Sequence, residues 1–192
     1  MSTNKKVLIL VLVVFVALGF YKIHDVYFNY RLMEISENKV YKSGVIPPDE
    51  IAKFISKHHI KSVVDLRGPV TLDKINNPEN WVQVNAERDV VAKIAGINYY
   101  NIPSEQVPKK DNLDKFYKVI DNPDNYPILI HCHHGIGRAQ VYSAVYRIEK
   151  ENFSNEEARQ NAAFPVIFSS FDNGTPKGEF LKSYISRKDS VQ

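Results

Sequence analysis

The chain contains a single cysteine, Cys132, within the segment HCHHGIGRAQ that covers residues 131–140. The apolar run PILI precedes this segment and a helical pattern follows it, so we predict a loop between a strand and a helix. Backbone N–H groups of such a loop lie at the positive end of the helix dipole and can bind an anion. Gly135 and Gly137 allow the backbone conformations that this requires, and the guanidinium of Arg138 matches two phosphate oxygens. The spacing therefore predicts a phosphate-binding loop.

The place of Cys132 in this loop suits nucleophilic attack on phosphorus. Thiols at helix N-termini and beside cations lose their proton more readily than free thiols do. A thiolate beneath a bound phosphate is positioned for in-line attack on the phosphorus atom. We therefore interpret Cys132 as a nucleophile.

The histidines around Cys132 raise two alternatives, a metal site and a purely structural buried cysteine. His131, His133 and His134 are close neighbours along the chain, so their side chains diverge where the strand ends. Structural zinc ligands usually come in two separated pairs. The remaining histidines are not spaced to supply a second pair: His24, His58 and His59. Free cysteine is often buried, but the glycines and the arginine after it disfavour a packing role. We predict no metal ion and no cofactor.

Length and composition limit the class of protein. The chain has 192 residues, which suits one domain of ordinary size. Hydrophobic residues at 44% and charged residues at 24% are typical of a globular protein. A net charge of +3 without a basic stripe argues against nucleic acid as a partner. A single cysteine excludes an internal disulfide bond.

The N-terminus predicts a segment that enters a membrane. Residues 7–20, VLILVLVVFVALGF, are apolar without a break. A spanning helix needs about 20 apolar residues, so Tyr21 and Ile23 would have to extend the run. We predict that residues 1–23 are a signal anchor, or a signal peptide cleaved near ALG. The basic residues that precede the run favour a cytoplasmic N-terminus, which places the rest of the chain on the non-cytoplasmic, periplasmic side or exports it.

Predicted strands and helices alternate beyond this segment. Residues 24–38 look like a polar connector, and residues 39–192 look like the folded domain. The predicted strands lie in VYKSG, IKSVVDLRG, INYYNIP and YPILIHC. The predicted helices cover 47–59, 77–96, 111–123, 139–152, 155–164 and 177–186. This alternation indicates an α/β fold, with a central, mostly parallel sheet of four to five strands and helices on both faces.

The segment CHHGIGR has a C-x5-R spacing and resembles the signature of the protein tyrosine and dual-specificity phosphatase superfamily. The order of the flanking segments is similar to that of small bacterial dual-specificity-like phosphatases across residues 39–185. The resemblance implies a phosphoric monoester hydrolase whose catalytic domain is residues 39–192. It implies that Cys132 forms a phosphocysteine and that the loop amides and Arg138 hold the phosphoryl oxygens. The binding residues would be His133, His134, Gly135, Ile136, Gly137 and Arg138.

The same resemblance implies support for the loop from behind. His131 would tune the thiolate, and Asp65 and Arg67 would lie beside the loop. The alternative for Asp65 and Arg67 is an ion pair at the end of a strand with no catalytic role.

Cleavage of a phosphate ester needs a proton for the leaving oxygen, which a carboxylic acid normally supplies. In the family, an aspartate lies on a loop after the preceding strand. The matching stretch here is NIPSEQVPKKDNLDKF, in which Glu105 has the corresponding position. Asp111 is the alternative acid, although it also suits the first turn of a helix. A further alternative for Glu105 is a solvated loop residue.

Ala139 departs from the family pattern, which has serine or threonine directly after the arginine. In the family, that hydroxyl helps to stabilise the departing thiolate. Its loss costs about 1–3 kcal/mol for a charge-assisted contact, which is roughly tenfold to a hundredfold in rate. A catalytically impaired module that binds phosphorylated ligands is therefore an alternative function.

The substrate class stays open at the level of sequence. His133 and His134 occupy positions where lipid- and inositol-directed relatives often have lysine. The expected partners are a phosphorylated substrate, which is a phosphoprotein, a phospholipid or a phosphorylated glycolipid, and a membrane through the N-terminal helix. We expect no nucleic acid and no metal partner.

Overall fold

The computed structural model describes residues 3–70, 73–164 and 168–189. The described part contains seven helices, five strands and one short 3-10 turn, Pro123–Asn125. In chain order these are α1 (Thr3–Tyr27), β1 (Met33–Ser36), β2 (Val40–Ser43), α2 (Pro48–Lys57), β3 (Ser62–Asp65), α3 (Trp81–Val91), β4 (Asn98–Asn101), α4 (Lys110–Asp121), β5 (Ile128–His131), α5 (Arg138–Glu151), α6 (Asn155–Ala163) and α7 (Pro176–Ser183).

The five strands form one sheet in the order β1-β2-β5-β3-β4. Four of them are parallel, and β1 pairs with β2 in the antiparallel direction. In the register, His131 of β5 lies between Ser43 of β2 and Asp65 of β3, so the carboxyl ends of three strands meet at one edge. Ligands bind at this edge in open α/β sheets. The predicted fold class is confirmed.

Alternate residues of each strand face opposite sides of the sheet, and each side has its own apolar core. Val64 and Ile130 pack on the side covered by α4 to α7, where Phe116 and Leu181 are also buried. Their strand neighbours face the other core, beneath α2 and α3, together with Ile51 and Val91. This alternation is the period of two expected for strands.

One segment differs from the sequence-based boundaries. The predicted connector, residues 24–38, contains β1, so the sheet begins before residue 39. Apolar and polar residues alternate in this strand, but it is only four residues long and of these only Ile35 is buried. The strand is added to the sheet by its backbone, through pairing with β2.

Helix α3 is shorter than the predicted helix over residues 77–96. It begins at Trp81 because Asn80 accepts from the backbone N–H of Gln83, and the Gln83 side chain bonds back to Asn80. This capping box ends the preceding loop at residue 80. As a result, Glu79 lies on a loop and is free to turn towards the end of the sheet.

Helix α1 is long and apolar enough to cross a membrane by length and composition, over Asn4–Tyr27. Its 24 residues correspond to about 36 Å at 1.5 Å per residue, against about 30 Å for the hydrocarbon core. No part of its apolar window is buried against the rest of the protein. A hydrogen-bonded turn follows the helix, in which the Arg31 N–H donates to the Asp25 carbonyl at 2.8 Å.

Candidate active site

The loop between β5 and α5 covers residues 132–137 and wraps around the thiol of Cys132. The thiol is buried, with 2% of the residue exposed, and its Sγ accepts from the Gly135 N–H at 3.3 Å. The N-cap residue of α5 is Gly137, which has no side chain that could accept a hydrogen bond. The first N–H groups of this helix therefore receive no capping oxygen from it. Uncapped N–H groups at the start of a helix give the space in front of it a positive potential.

Carbonyl oxygens of the loop are bound on its outer side by the first part of the chain. The Val45 N–H donates to the His133 carbonyl at 3.0 Å. The Arg31 guanidinium donates to the His134 carbonyl at 2.7 Å, and the Lys42 ammonium to that of Gly135 at 3.0 Å. Because C=O and N–H point in opposite directions across a planar trans peptide, carbonyls held outwards turn the amides inwards.

Gly135 allows the loop to pack directly on β2. Its φ is +72°, and a Cβ built on it would lie 2.6 Å from the Ser43 carbonyl carbon and still closer to the Gly44 nitrogen. Lys42 of the same strand is buried in this packing. Burial lowers its pKa to about 8, although negative charge on Cys132 has the opposite effect. The loop is therefore held by β2 through both backbone contact and a buried cation.

Arg138 is buried, with 1% of the residue exposed, and only one of its nitrogens is bound by protein. Its Nη1 donates to the Leu66 carbonyl at 2.9 Å and to a carboxylate oxygen of Glu79. Its Nε and Nη2 have no hydrogen-bond partner within the described part of the chain. Unpaired buried donors are costly, so this free edge of the guanidinium is suited to bind two oxygens of an anion.

Glu79 was not found by the sequence analysis, which placed it inside a helix. Burial alone would raise the pKa of Glu79, but the hydrogen bond and charge of Arg138 outweigh it and hold the pKa below its usual value. Glu79 also accepts from the Gly68 N–H at 3.2 Å. It therefore fixes the guanidinium of Arg138 from the side that faces away from the pocket.

The pocket above Cys132 has a volume of about 150 Å³. Its lining residues are Asn76, Gln106, Cys132, His134, Ile136, Gly137, Arg138, Ser170 and Lys177. Lys177 donates to the Gln106 amide oxygen at 3.3 Å, and burial lowers the pKa of Lys177. Among the residues that line it in the described chain, none carries a carboxylate. A larger depression of about 440 Å³, which includes Lys39 and Tyr126, lies at the opposite edge of the sheet.

The predicted histidines of the loop have different positions. His134 lines the pocket, whereas His133 lines a neighbouring cavity beside Arg67 and Glu87. Burial lowers the pKa of both histidines below the usual value, so both rings are neutral at neutral pH. Their positions therefore contribute no fixed positive charge to the site.

Neither predicted acid lies in the pocket. The carboxylate of Glu105 pairs with Lys109 at 2.8 Å on the surface of the loop, and 42% of its side chain is exposed. The next residue, Gln106, lines the pocket instead. Asp111 lies in the first turn of α4 and is exposed, as its helix-start interpretation predicts. The geometry thus places Glu105 and Asp111 apart from the sulfur.

A buried group of charges lies directly behind the loop. Arg67 donates to both carboxylate oxygens of Asp65, at 2.9 and 2.8 Å, and to Glu87 at 2.6 Å. His131 Nε2 lies 2.9 Å from Glu87, and the Tyr99 hydroxyl donates to Asp65 at 2.6 Å. Burial opposes ionisation of Asp65, but His131 and Arg67 outweigh it and lower its pKa. The sequence analysis found three members of this cluster and missed Glu87 and Tyr99.

The cluster bears on the metal alternative. Ligand atoms of Asp65, Glu87 and His131 lie within 4.8 Å of one another. The guanidinium of Arg67, however, already bonds both carboxylates. A cation occupies the place between the two acids, so the donor set fits an internal ion-pair network better than a metal ion.

The loop at the carboxyl edge of the sheet contains a buried cysteine, followed by an arginine with two unpaired nitrogens among the described residues. This arrangement is that of a cysteine-dependent phosphatase. Comparison with family models leads to the same class. The model of PTP-NADK, described as a DSP-PTPase phosphatase fused to NAD+ kinase, matches residues 20–172. The chain therefore belongs to this family. No match to a curated protein was found.

Solved structures of distant sequence share the fold. The catalytic core of the PP-IP phosphatase SIW14 from S. cerevisiae is 19% identical, with a TM-score of 0.57 over 83% of this chain and 88% of that one. TpbA from P. aeruginosa is 16% identical, with a TM-score of 0.57 over 82% and 86%. PTP-2 from Cydia pomonella is 17% identical, with a TM-score of 0.54 over 81% and 94%.

Replacement of Arg67 tests the buried charge cluster. Arg67→Met leaves Asp65 and Glu87 buried without their shared cation, so we expect the free energy of unfolding to fall by about 3–5 kcal/mol. The matched control is Arg88→Met, because Arg88 is 52% exposed in its ion pair and its loss costs at most about 1 kcal/mol. Urea unfolding in mild detergent, followed by Trp81 fluorescence, measures both. Equal losses in the two variants would contradict a stabilising role for the cluster.

Gly135 and Gly96 separate backbone strain from close packing. Both have a positive φ, but nothing lies within 4 Å of a Cβ at Gly96, whereas one at Gly135 meets β2. We expect Gly96→Ala to cost about 1–2 kcal/mol of stability, and Gly135→Ala at least about 2 kcal/mol more. Binding of inorganic phosphate should weaken at least tenfold in Gly135→Ala alone. If both variants bind phosphate as the parent protein does, the loop does not depend on this contact.

Proposed function

We propose that this phosphatase hydrolyses phosphate monoesters through a phosphocysteine on Cys132. The observation that carries the proposal is the edge of Arg138 formed by Nε and Nη2, which are buried without a partner among the described residues, in a pocket that Cys132 also lines. Two donors on one plane match two oxygens of a phosphoryl group. The loop amides add further donors. Together, these groups would favour the binding of a phosphate dianion in the pocket above Cys132.

The proposed reaction has two displacement steps. In the first, the lone pair of the Cys132 thiolate forms an S–P bond while the P–O bond to the leaving group breaks, and the leaving oxygen takes up a proton. In the second, water attacks the phosphocysteine, the S–P bond breaks, and inorganic phosphate and the thiolate are released. Arg138 and the loop amides stabilise the charge on the equatorial oxygens in both steps.

Residues behind the loop would act by positioning. Glu79 holds Arg138 in the orientation that leaves its outer edge free. His131 lies between the loop and the charge cluster of Asp65, Arg67 and Glu87. In this proposal, His131 supports the start of the loop from behind, and the ion pair of Asp65 and Arg67 holds the neighbouring strand end in place.

The proton donor must reach the leaving oxygen in the pocket, and the three candidate groups differ in their distance from it. Glu105 would have to leave Lys109 to reach the pocket, and Asp111 is farther along the chain on α4. The group that supports a proton transfer by position is the half-buried ammonium of Lys177, which lines the pocket. Its pKa is lowered by burial, which makes it a stronger acid than free lysine. We propose Lys177 as the donor and keep Glu105 as the alternative.

Helix α1 is proposed to anchor the domain in a membrane, with Lys5 and Lys6 on the cytoplasmic side. The length of the apolar helix supports an anchor, and a cleaved signal peptide is the alternative. Among the structural neighbours, TpbA has been crystallised with phosphotyrosine and SIW14 is a PP-IP phosphatase. Phosphoproteins, phospholipids and phosphorylated glycolipids are the substrate classes that we propose.

Turnover of 4-nitrophenyl phosphate by the full chain in detergent tests the reaction. We expect Cys132→Ser to lower kcat at least about a hundredfold, because the serine hydroxyl is a far weaker nucleophile at neutral pH. Arg138→Lys should also lower kcat/KM strongly, since lysine lacks the planar fork. Arg147→Lys, on the same helix, is the control and should stay within twofold. Undiminished turnover in Cys132→Ser would refute the phosphocysteine.

The second candidate function, an impaired phosphate-binding module, is favoured by Ala139. This residue is fully buried in the same apolar cluster as Cys132, and it has no hydroxyl to meet the departing thiolate. If hydrolysis of the phosphocysteine limits the rate, Ala139→Ser should raise kcat about tenfold or more. Phosphate binding with no turnover in either protein would favour the binding module.

The identity of the acid follows from the leaving group. Alkyl phosphates need a proton donor more than aryl phosphates do, because alkoxides are poor leaving groups. We expect Lys177→Met to slow an alkyl phosphate roughly tenfold more than an aryl phosphate, while Glu105→Gln stays within twofold on both. A selective loss of alkyl turnover in Glu105→Gln instead would assign the proton to Glu105.

A further inference from the structure

Exposed apolar side chains lie on three segments that line the phosphate pocket. Ile136, which lines the pocket, is 57% exposed. Ile75 is 86% exposed and directly precedes the lining residue Asn76, and Phe168 is 93% exposed two residues before the lining residue Ser170. Single exposed apolar residues are common, but three from separate segments around one charged pocket indicate an interaction surface.

Phe168 has a backbone conformation that large side chains rarely adopt. Its φ is +60°, in the left-handed region, and its ring contributes to no apolar core in the described part of the chain. Such a conformation costs free energy and persists only where the structure or a function maintains it. An aromatic ring held outwards in this way is suited to enter an apolar environment beside the pocket.

The end of α1 lies close to the same pocket. The helix ends at Tyr27, and the guanidinium of Arg31, four residues later, bonds the His134 carbonyl at 2.7 Å. Four residues span at most about 14 Å. The turn between them is not a free linker, because Phe28 N–H bonds the His24 carbonyl at 3.0 Å and Tyr30 accepts from Gly44 at 2.7 Å.

The residues at this turn suit a membrane interface. Tyr27 and Phe28 are 69% and 71% exposed, and aromatic rings are enriched at the level of the lipid head groups. The head-group layer is about 5–8 Å thick on each side of the hydrocarbon core. A spanning α1 therefore keeps the phosphate loop near the depth at which lipid phosphates lie, rather than on a long tether.

The charge of the pocket suits a single phosphate group. Arg138 and Lys177 are the cations that line it, whereas the ring of His134 is neutral at neutral pH. Glu79 already pairs with Arg138 on its other side, so the excess positive charge of the pocket is small and suits one phosphate group. A substrate with several phosphates would need further fixed cations, and the lining residues of the described chain supply none.

We infer that the substrate is a phosphate monoester on a lipid of the bilayer that holds α1, and that Ile75, Ile136 and Phe168 enter the interface around its head group. This inference rests on the proposed function, and it names the substrate class of the same site. These apolar side chains contact the lipid around the head group, while Arg31 links the end of the anchor helix to the loop.

The test uses the full chain in phosphatidylcholine vesicles that contain phosphatidic acid, the simplest phosphate monoester lipid. We expect release of inorganic phosphate, with a kcat/KM at least a hundredfold above that for glycerol 3-phosphate, which has the same ester free in solution. The double variant Ile75→Ser/Phe168→Ser should lose at least tenfold on phosphatidic acid and keep turnover of 4-nitrophenyl phosphate within twofold. Ile185→Ser, at a residue 70% exposed after α7, is the control and should change neither activity.

A second measurement reports docking without turnover. In the variant Trp81→Phe/Phe168→Trp, the new indole should be quenched by brominated lipids in the vesicles. Quenching without hydrolysis of phosphatidic acid would refute a lipid phosphate monoester as the substrate. Absence of quenching would refute the insertion of Phe168 into the bilayer interface. Hydrolysis of a phosphotyrosine peptide without hydrolysis of phosphatidic acid would also refute the lipid substrate. No turnover of any of these esters, 4-nitrophenyl phosphate included, would instead refute the proposed function.

Discussion

The site depends on the orientation of a few peptide groups between β5 and α5. Peptide dipoles bind an anion only if their N–H ends point inwards, and the opposite ends must then be bound elsewhere. Val45, Arg31 and Lys42 provide these bonds to three successive carbonyls. Lys42 is a costly donor because burial lowers its pKa to about 8. The first part of the chain, from the end of α1 to β2, therefore helps to hold the Cys132 loop and is not only a leader to the domain.

Buried charge supports the same loop from two other directions. Glu79 accepts from one nitrogen of Arg138, and the other two have no partner in the part of the chain that the structure describes. Behind β5, Arg67 and His131 face Asp65 and Glu87. Ionised groups are stable in such surroundings only when each is paired. The pairing makes the cluster rigid, and rigidity at this position maintains the geometry of Cys132 and Arg138.

Two features distinguish this chain within the wider superfamily pattern. The residue after Arg138 has no hydroxyl, and no carboxylate lines the pocket in the described part of the chain. Both features would slow the reaction of a substrate that diffuses freely in water. In the proposed membrane-anchored protein, a high local concentration of lipid esters would keep such a slow site occupied.

The sequence by itself determined the loop, since Cys132, Gly135, Gly137 and Arg138 lie within seven residues and their spacing favours phosphate binding over a metal site or a purely structural cysteine. It also determined the α/β class, because periodicity and alternation are local properties. Only the tertiary structure identified Glu79, Glu87, Lys42 and Lys177 as parts of the site, placed Glu105 outside the pocket, and added β1 to the sheet. Parallel strands bring together residues that are far apart in the chain, as Asp65 and Ser43, 66 and 88 positions before His131, illustrate. A side chain's own neighbours carry no signal of such a contact, so its function is decided when the sheet forms.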